Sequence, residues 1–144
     1  MDEFLDYIAE EARNGYHCSN MLVKMALEMK GSENPELVSA ASTLAGGLGY
    51  TTKYVCGCLT GGLCMLGLFI SKGSDEQTVH PQEREISAEF TEWFENEIGS
   101  RYGSCVCGDI VGPDISARTL KCPVIIRDTY LQVSGMIEKY GLLN

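Results

Sequence analysis

The chain is short of positive charge: 11 lysines and arginines stand against 20 aspartates and glutamates in 144 residues, a net charge of −9. Nucleic acids and anionic membrane surfaces are bound through basic patches, so neither is an expected partner. A basic start followed by an apolar run is also missing. The first residues, MDEFLDYIAEEARNG, are acidic and carry no export signal, which leads to a cytoplasmic expectation. No segment alternates apolar and polar residues for long enough to make a strand, and no internal repeat is visible. The chain has no Gly-Lys-Ser/Thr phosphate loop, no nucleophile–histidine–acid set and no Cys-x-x-Cys. Spacing alone therefore indicates no zinc ribbon or ferredoxin site.

What the chain does have is an uncharged run from Tyr54 to Ser71, YVCGCLTGGLCMLGLFIS, between Lys53 and Lys72. As a helix it would be roughly 27 Å long, but four glycines, a threonine and three cysteines make it too polar for a membrane span. A helix that is apolar all round must be covered all round, so this one is expected at the centre of a bundle. Gly57, Gly61, Cys64 and Leu68 share one face, with the glycines leaving room for a closely approaching backbone.

Around it the periodicity predicts further helices. Phe4, Leu5, Ile8, Ala9 and Ala12 form one apolar face, stopped by Gly15. Cys18, Met21, Leu22, Met25, Ala26 and Met29 form the next, ended by Gly31. Asn34 caps a third that has Pro35 in its first turn and ends at Gly46-Gly47. Pro81 starts a fifth, with Ile86, Phe90, Trp93, Phe94 and Ile98 inward and a solvated glutamate face. Gly99 to Leu120 reads as irregular, and Cys122-Pro123 as the start of the last helix. The expected fold is all-α: one domain over residues 1–144, with about six helices around the Gly/Cys-rich central one.

Seven cysteines is an odd number, and static disulfides are unusual in a reducing compartment. On this map Cys18, Cys56 and Cys122 lie at helix starts, where the partial positive charge and free N–H groups favour a thiolate. Cys105 and Cys107 lie in the glycine-rich loop, while Cys58 and Cys64 read as core packing. His17 beside Cys18 and His80 before Pro81 read as loop residues.

Asn14-Gly15-Tyr16-His17-Cys18-Ser19, Cys56-Gly57-Cys58-Leu59-Thr60-Gly61, Cys107-Gly108-Asp109-Ile110-Val111-Gly112 and Cys122 together resemble the C_GCAxxG_C_C family of redox-active proteins. Read as Cys-Gly-Ala-x-x-Gly, the family motif matches Cys56, Gly57 and Gly61, with Cys58 in place of the alanine. The resemblance implies four marker cysteines, mapped here to Cys18, Cys56, Cys107 and Cys122, with Cys58 and Cys105 as additional candidate redox cysteines. The reaction it implies is redox or iron–sulfur chemistry with no substrate attached.

Three functions remain open. In the first, the four marker cysteines bind an iron–sulfur cluster, or zinc, for electron transfer. The second is a metal-free thiol–disulfide oxidoreductase, in which Cys56 attacks and Cys58 or Cys107 resolves. The third is a helical binding module whose cysteines only pack. The expected partners are a redox protein or a small thiol or electron donor, and a homodimer is left open.

Overall fold

The computed structural model describes residues 3–114 and 116–143 of the chain. Its helices are α1 (Glu3–Arg13), α2 (Cys18–Met29), α3 (Pro35–Ala41), α4 (Gly57–Ile70), α5 (Glu83–Tyr102), α6 (Cys107–Val111) and α7 (Ala117–Lys139), with a 3-10 turn at Ser42–Leu44. Among the described residues there is no strand, only one antiparallel bridge between Val55 and Val106. The all-α expectation holds, with seven α-helices among the described residues in place of about six.

α4 is the central element. No residue from 55 to 70 is exposed, and α2 lies along it as its most extensive neighbour. The cause is the missing side chains. A methyl group added at Gly61 would come 2.8 Å from the Ser19 Cα of α2, and one at Gly62, on another face, would run into the Phe90 ring of α5. Cys64 and Leu68 continue the α2 face, packed on Val23, Leu27 and Ala41. Ser19, fully buried, donates from its hydroxyl to the Ala41 carbonyl at 2.7 Å and ties α2 to the end of α3. Among the described residues no helix is long and apolar enough to cross a membrane.

Local signals explain most boundaries. The Asn34 side chain accepts from the Leu37 N–H at 3.1 Å, with Pro35 in the first helical position. α5 begins at Glu83, two residues after Pro81, and ends at Gly103 with φ +76°. The reading was wrong after α5. The stretch 99–120, expected to be irregular, contains the end of α5, all of α6 and the start of α7. α7 begins at Ala117, so Pro123 is its seventh residue and not its first. Asp114 supplies the start signal, accepting from both the backbone N–H and the hydroxyl of Ser116 at 3.0 and 2.7 Å. The helix tolerates Pro123 at the cost of one backbone hydrogen bond.

Between the 3-10 turn and α4 the chain does something that periodicity does not describe. Residues 46 to 50 all have φ between +62° and +74°, and Leu48 and Tyr50 are among them without being glycines; Thr52 follows at +63°. Each non-glycine there costs on the order of 1 kcal/mol. Hydrogen bonds hold this left-handed strap in place: Gly49 N–H to Thr43 O at 2.7 Å, Thr52 N–H to Gly46 O at 2.8 Å, and the Tyr50 hydroxyl to the Ser42 carbonyl at 3.0 Å.

Candidate functional site

Four elements meet beside the strap, and each brings a thiol. Cys18 is the first residue of α2, and Asn20, buried one turn in, fixes that start by accepting from the His17 N–H at 2.8 Å. Cys56 is the residue before α4, its sulfur accepting from the Cys58 N–H at 3.5 Å, and Cys58 sits in the first turn of α4. The strap and α6 are clamped together through Cys107 N–H to Tyr54 O and Gly108 N–H to Thr52 O, both 2.8 Å, which places Cys107 at the first position of α6. Cys122 comes from the second turn of α7. These five sulfur-bearing residues line one cavity of about 530 Å³. The rest of its wall is mostly apolar, including Ile8, Met21, Ile110, Ile125 and Ile126, and Gly57 has no room for a side chain because Cys18 Sγ and Ala45 stand against it.

The five thiols are not equivalent. Cys18 is pushed below the ordinary thiol value, first because the Cys58 side chain hydrogen-bonds to it and then, against the opposing effect of burial, because the backbone N–H groups of Gly46, Ser19 and Cys18 itself do too. Its position at the N-terminus of α2 adds to this. Cys58 shifts well upward, mainly through burial and then through its bonds to Cys18 and Cys56. The pair is thus unequal, with Cys18 the more acidic thiol and Cys58 the less acidic one. Burial lifts Cys122 to about 12, and repulsion from Cys18, Cys56 and Cys107 adds to it while Arg118 opposes. Cys107 is raised for the same first reason, with Cys56 adding and Arg118 opposing.

The structure places Cys18, Cys56, Cys107 and Cys122 on the same cavity, and places Cys58 with them. Cys105 is turned away: its thiol points at the Phe94 carbonyl of α5, 3.9 Å off, and burial raises it. Cys64 packs on the far side of α4, also raised by burial. Two positional expectations are corrected. Cys122 lies within α7, not at its start, and so lacks the free N–H groups that would favour its thiolate; Cys107 opens a helix and does not sit in a loop. His17 is exposed, its ring edge-on to Tyr50 at 5.0 Å between centroids. Sequence reasoning missed Arg118 and the strap. Arg118 had no local signal, whereas the run Gly46-Gly47-Leu48-Gly49 was visible and was read only as a helix stop.

All seven cysteines are free. An all-thiol donor set suits an iron–sulfur cluster or zinc in kind. In position it does not fit: among the described residues no three His, Cys, Asp or Glu side chains form a group that could hold a metal ion.

The class this defines is a helical bundle with a multi-thiol cavity at one end of its central helix. The chain belongs to the family described as "Putative redox-active protein (C_GCAxxG_C_C)", which it matches over residues 16–136. No curated protein and no solved structure matches it. The letters Gly-Cys-Ala-x-x-Gly in the family's name fall on Gly57-Cys58-Leu59-Thr60-Gly61-Gly62, with Leu59 for the alanine, two residues later than an alignment that puts the motif's cysteine at Cys56. In that register both motif glycines are sites of close approach, Gly57 to Cys18 and Gly62 to Phe90.

Proposed function

We propose that the protein is a thiol–disulfide redox protein whose working pair is Cys18 and Cys58. The observation that carries this is the placement of Cys18 and Cys58 together on the wall of one cavity, where the Cys58 side chain and three backbone N–H groups lower the Cys18 thiol and burial raises Cys58. A thiolate is the attacking form, and a second thiol within hydrogen-bonding reach is placed to resolve. Cys18 S⁻ attacks a substrate disulfide R–S–S–R′, forming Cys18–S–S–R and releasing R′S⁻. The leaving thiolate takes the proton of Cys58, and Cys58 S⁻ then attacks Cys18 Sγ, forming the Cys18–Cys58 disulfide and releasing RS⁻. The substrate gains two electrons and the protein loses two. A redox partner protein or a small thiol returns them by the reverse exchange. The reading assigns the protein to the cytoplasm, where free thiols persist.

The test is a titration of reduced protein with oxidised glutathione, followed by peptide mapping. Cys18–Cys58 is the expected linkage, and Cys18→Ser abolishes the fast phase. A dominant disulfide elsewhere, or an unchanged rate in Cys18→Ser, overturns the assignment.

The second reading is a cluster or zinc held by Cys18, Cys56, Cys107 and Cys122, where it would supply one-electron transfer or a structural tie. One observation favours it: four thiols from four separate elements line the same cavity, an all-sulfur donor set in kind. Metal content of anaerobically purified protein decides. Stoichiometric metal that is lost in Cys107→Ser and Cys122→Ser but kept in Cys64→Ser establishes this reading over the first, and no metal removes it.

A further inference from the structure

The cavity is far larger than two sulfurs need. At about 530 Å³ it falls within the roughly 300–1,000 Å³ range of small-molecule pockets. Its deep wall is dry, with Ile8, Met21, Cys58 and Ile125 at most 1 % exposed, and its mouth is rimmed by exposed Ala12, Arg13, His17 and Thr119. The charge of the lining runs against the chain as a whole. In a protein with a net charge of −9 the wall carries two arginines and no aspartate or glutamate. Arg13 is already bonded to Glu10 at 3.1 Å, whereas among the described residues Arg118 has no carboxylate partner. Its Nε is buried and has no hydrogen-bond partner among the described residues.

A buried donor of a permanent cation left unpaired is costly, and a half-buried guanidinium without a counterion is a receptor for one. The thiols beside it do not serve, because Cys107 and Cys122 are held neutral by burial. Cys18 is already served, when ionised, by the Cys58 side chain and three backbone N–H groups. We propose that the cavity binds an organic molecule with an apolar body and a single carboxylate, with Arg118 as the carboxylate receptor and the isoleucine wall as the seat of the body. The proposal names the ligand class of the thiol site and builds on the reading of that site as redox-active. Carboxylate and sulfur would then share one chamber, so the natural substrate class is an apolar carboxylic acid bearing a disulfide or thiol.

The experiment is calorimetric titration of fully reduced protein, in dithiothreitol, with sodium octanoate, octan-1-ol and sodium acetate. Octanoate saturates a single site, octanol binds at least about tenfold more weakly, and acetate shows no binding, as expected if one charge contact adds 1.4 kcal/mol or more to an apolar fit. Arg118→Ala brings octanoate down to the affinity of octanol, and Arg118→Lys restores part of the difference. Ala12→Trp, at an exposed mouth position, weakens both ligands; circular dichroism of each variant checks that the helices persist. Equal binding of octanoate and octanol, no saturable octanoate binding, or an unchanged octanoate affinity in a folded Arg118→Ala protein overturns the proposal. Because the thiols stay reduced throughout, the two readings fail separately. Octanoate binding without a Cys18–Cys58 disulfide under glutathione sinks only the redox assignment, and the disulfide without octanoate binding sinks only this one.

Discussion

The two sides of α4 are built from the same residue types and do opposite things. Toward α5 the space left by Gly62 is filled by the Phe90 ring, and Ile86, Phe90, Phe94 and Ile98 are all fully buried. Toward α1, α6 and the first turns of α7, the N-terminal turn of the same helix faces a chamber of about 530 Å³ lined by five cysteines. Glycine admits a side chain on one side and a reactive sulfur on the other. The difference teaches that stability and chemistry are divided across one helix: the filled side anchors α4, and the anchored helix can then carry a hollow without collapsing into it.

The comparison breaks most severely if the filled side is overfilled. Gly62→Leu puts a side chain where the Phe90 ring already lies and is expected to abolish cooperative thermal unfolding, whereas Ala12→Trp on the hollow side leaves it intact. Emptying the filled side comes next. Phe90→Ala is expected to cost about 4 kcal/mol in urea denaturation, while Ile126→Ala, on a wall that already faces a cavity, costs about 2 kcal/mol or less. Equal losses would mean that the two sides are packed alike.

Alkaline pH probes the hollow side by itself. Unfolded Cys122 ionises near 9.0, while the folded thiol holds its proton to about 12, so between those values the unfolded state binds fewer protons and stability falls as pH rises. Denaturation midpoints should drop across that window, and less steeply in Cys122→Ala. Cys18 has the opposite sign: it should remain alkylable by iodoacetamide below the pH at which ordinary thiols go silent, with the fully buried Cys58 the slowest of the five. The smallest effect belongs to Cys64→Ala, about 1 kcal/mol of packing with the alkylation profile of Cys18 unchanged.

Where the chain announces itself locally, it could be read. The α1 and α2 faces, the Asn34–Pro35 start and the inward stripe of α5 follow from periodicity and capping, and the burial of the stretch from Tyr54 to Ser71 follows from its lack of charge, although its two end residues, Tyr54 and Ser71, stay exposed. Cys107 was separable from Cys105 because a glycine-spaced context follows it, and the cavity receives Cys107 and not Cys105. Cys58 was read both as core packing and as a candidate resolving cysteine, and its neighbour was not legible. Nothing near it in sequence points to Cys18, forty residues earlier, and only the close approach at Gly57 joins them. The start of α7 was misplaced because Pro123 is the stronger local signal, while the Asp114 carboxylate bonds only to Ser116, the residue before the helix. The strap was illegible for a plainer reason: leucine, tyrosine and threonine do not favour positive φ, and the hydrogen bonds that hold them there are non-local in part.

That strap also means that the floor of the thiol chamber is the mirror image of ordinary protein backbone. Three of its five residues are glycine, the one coded amino acid without a hand, and the other two are L-residues held in a conformation natural to their D-enantiomers. The handedness of this stretch, rather than its size or polarity, sets where the Gly46 N–H and Cys107 lie relative to Cys18. Enantiomers at Gly49 would therefore act in opposite directions: L-alanine strains the folded state, and D-alanine removes freedom from the unfolded one alone.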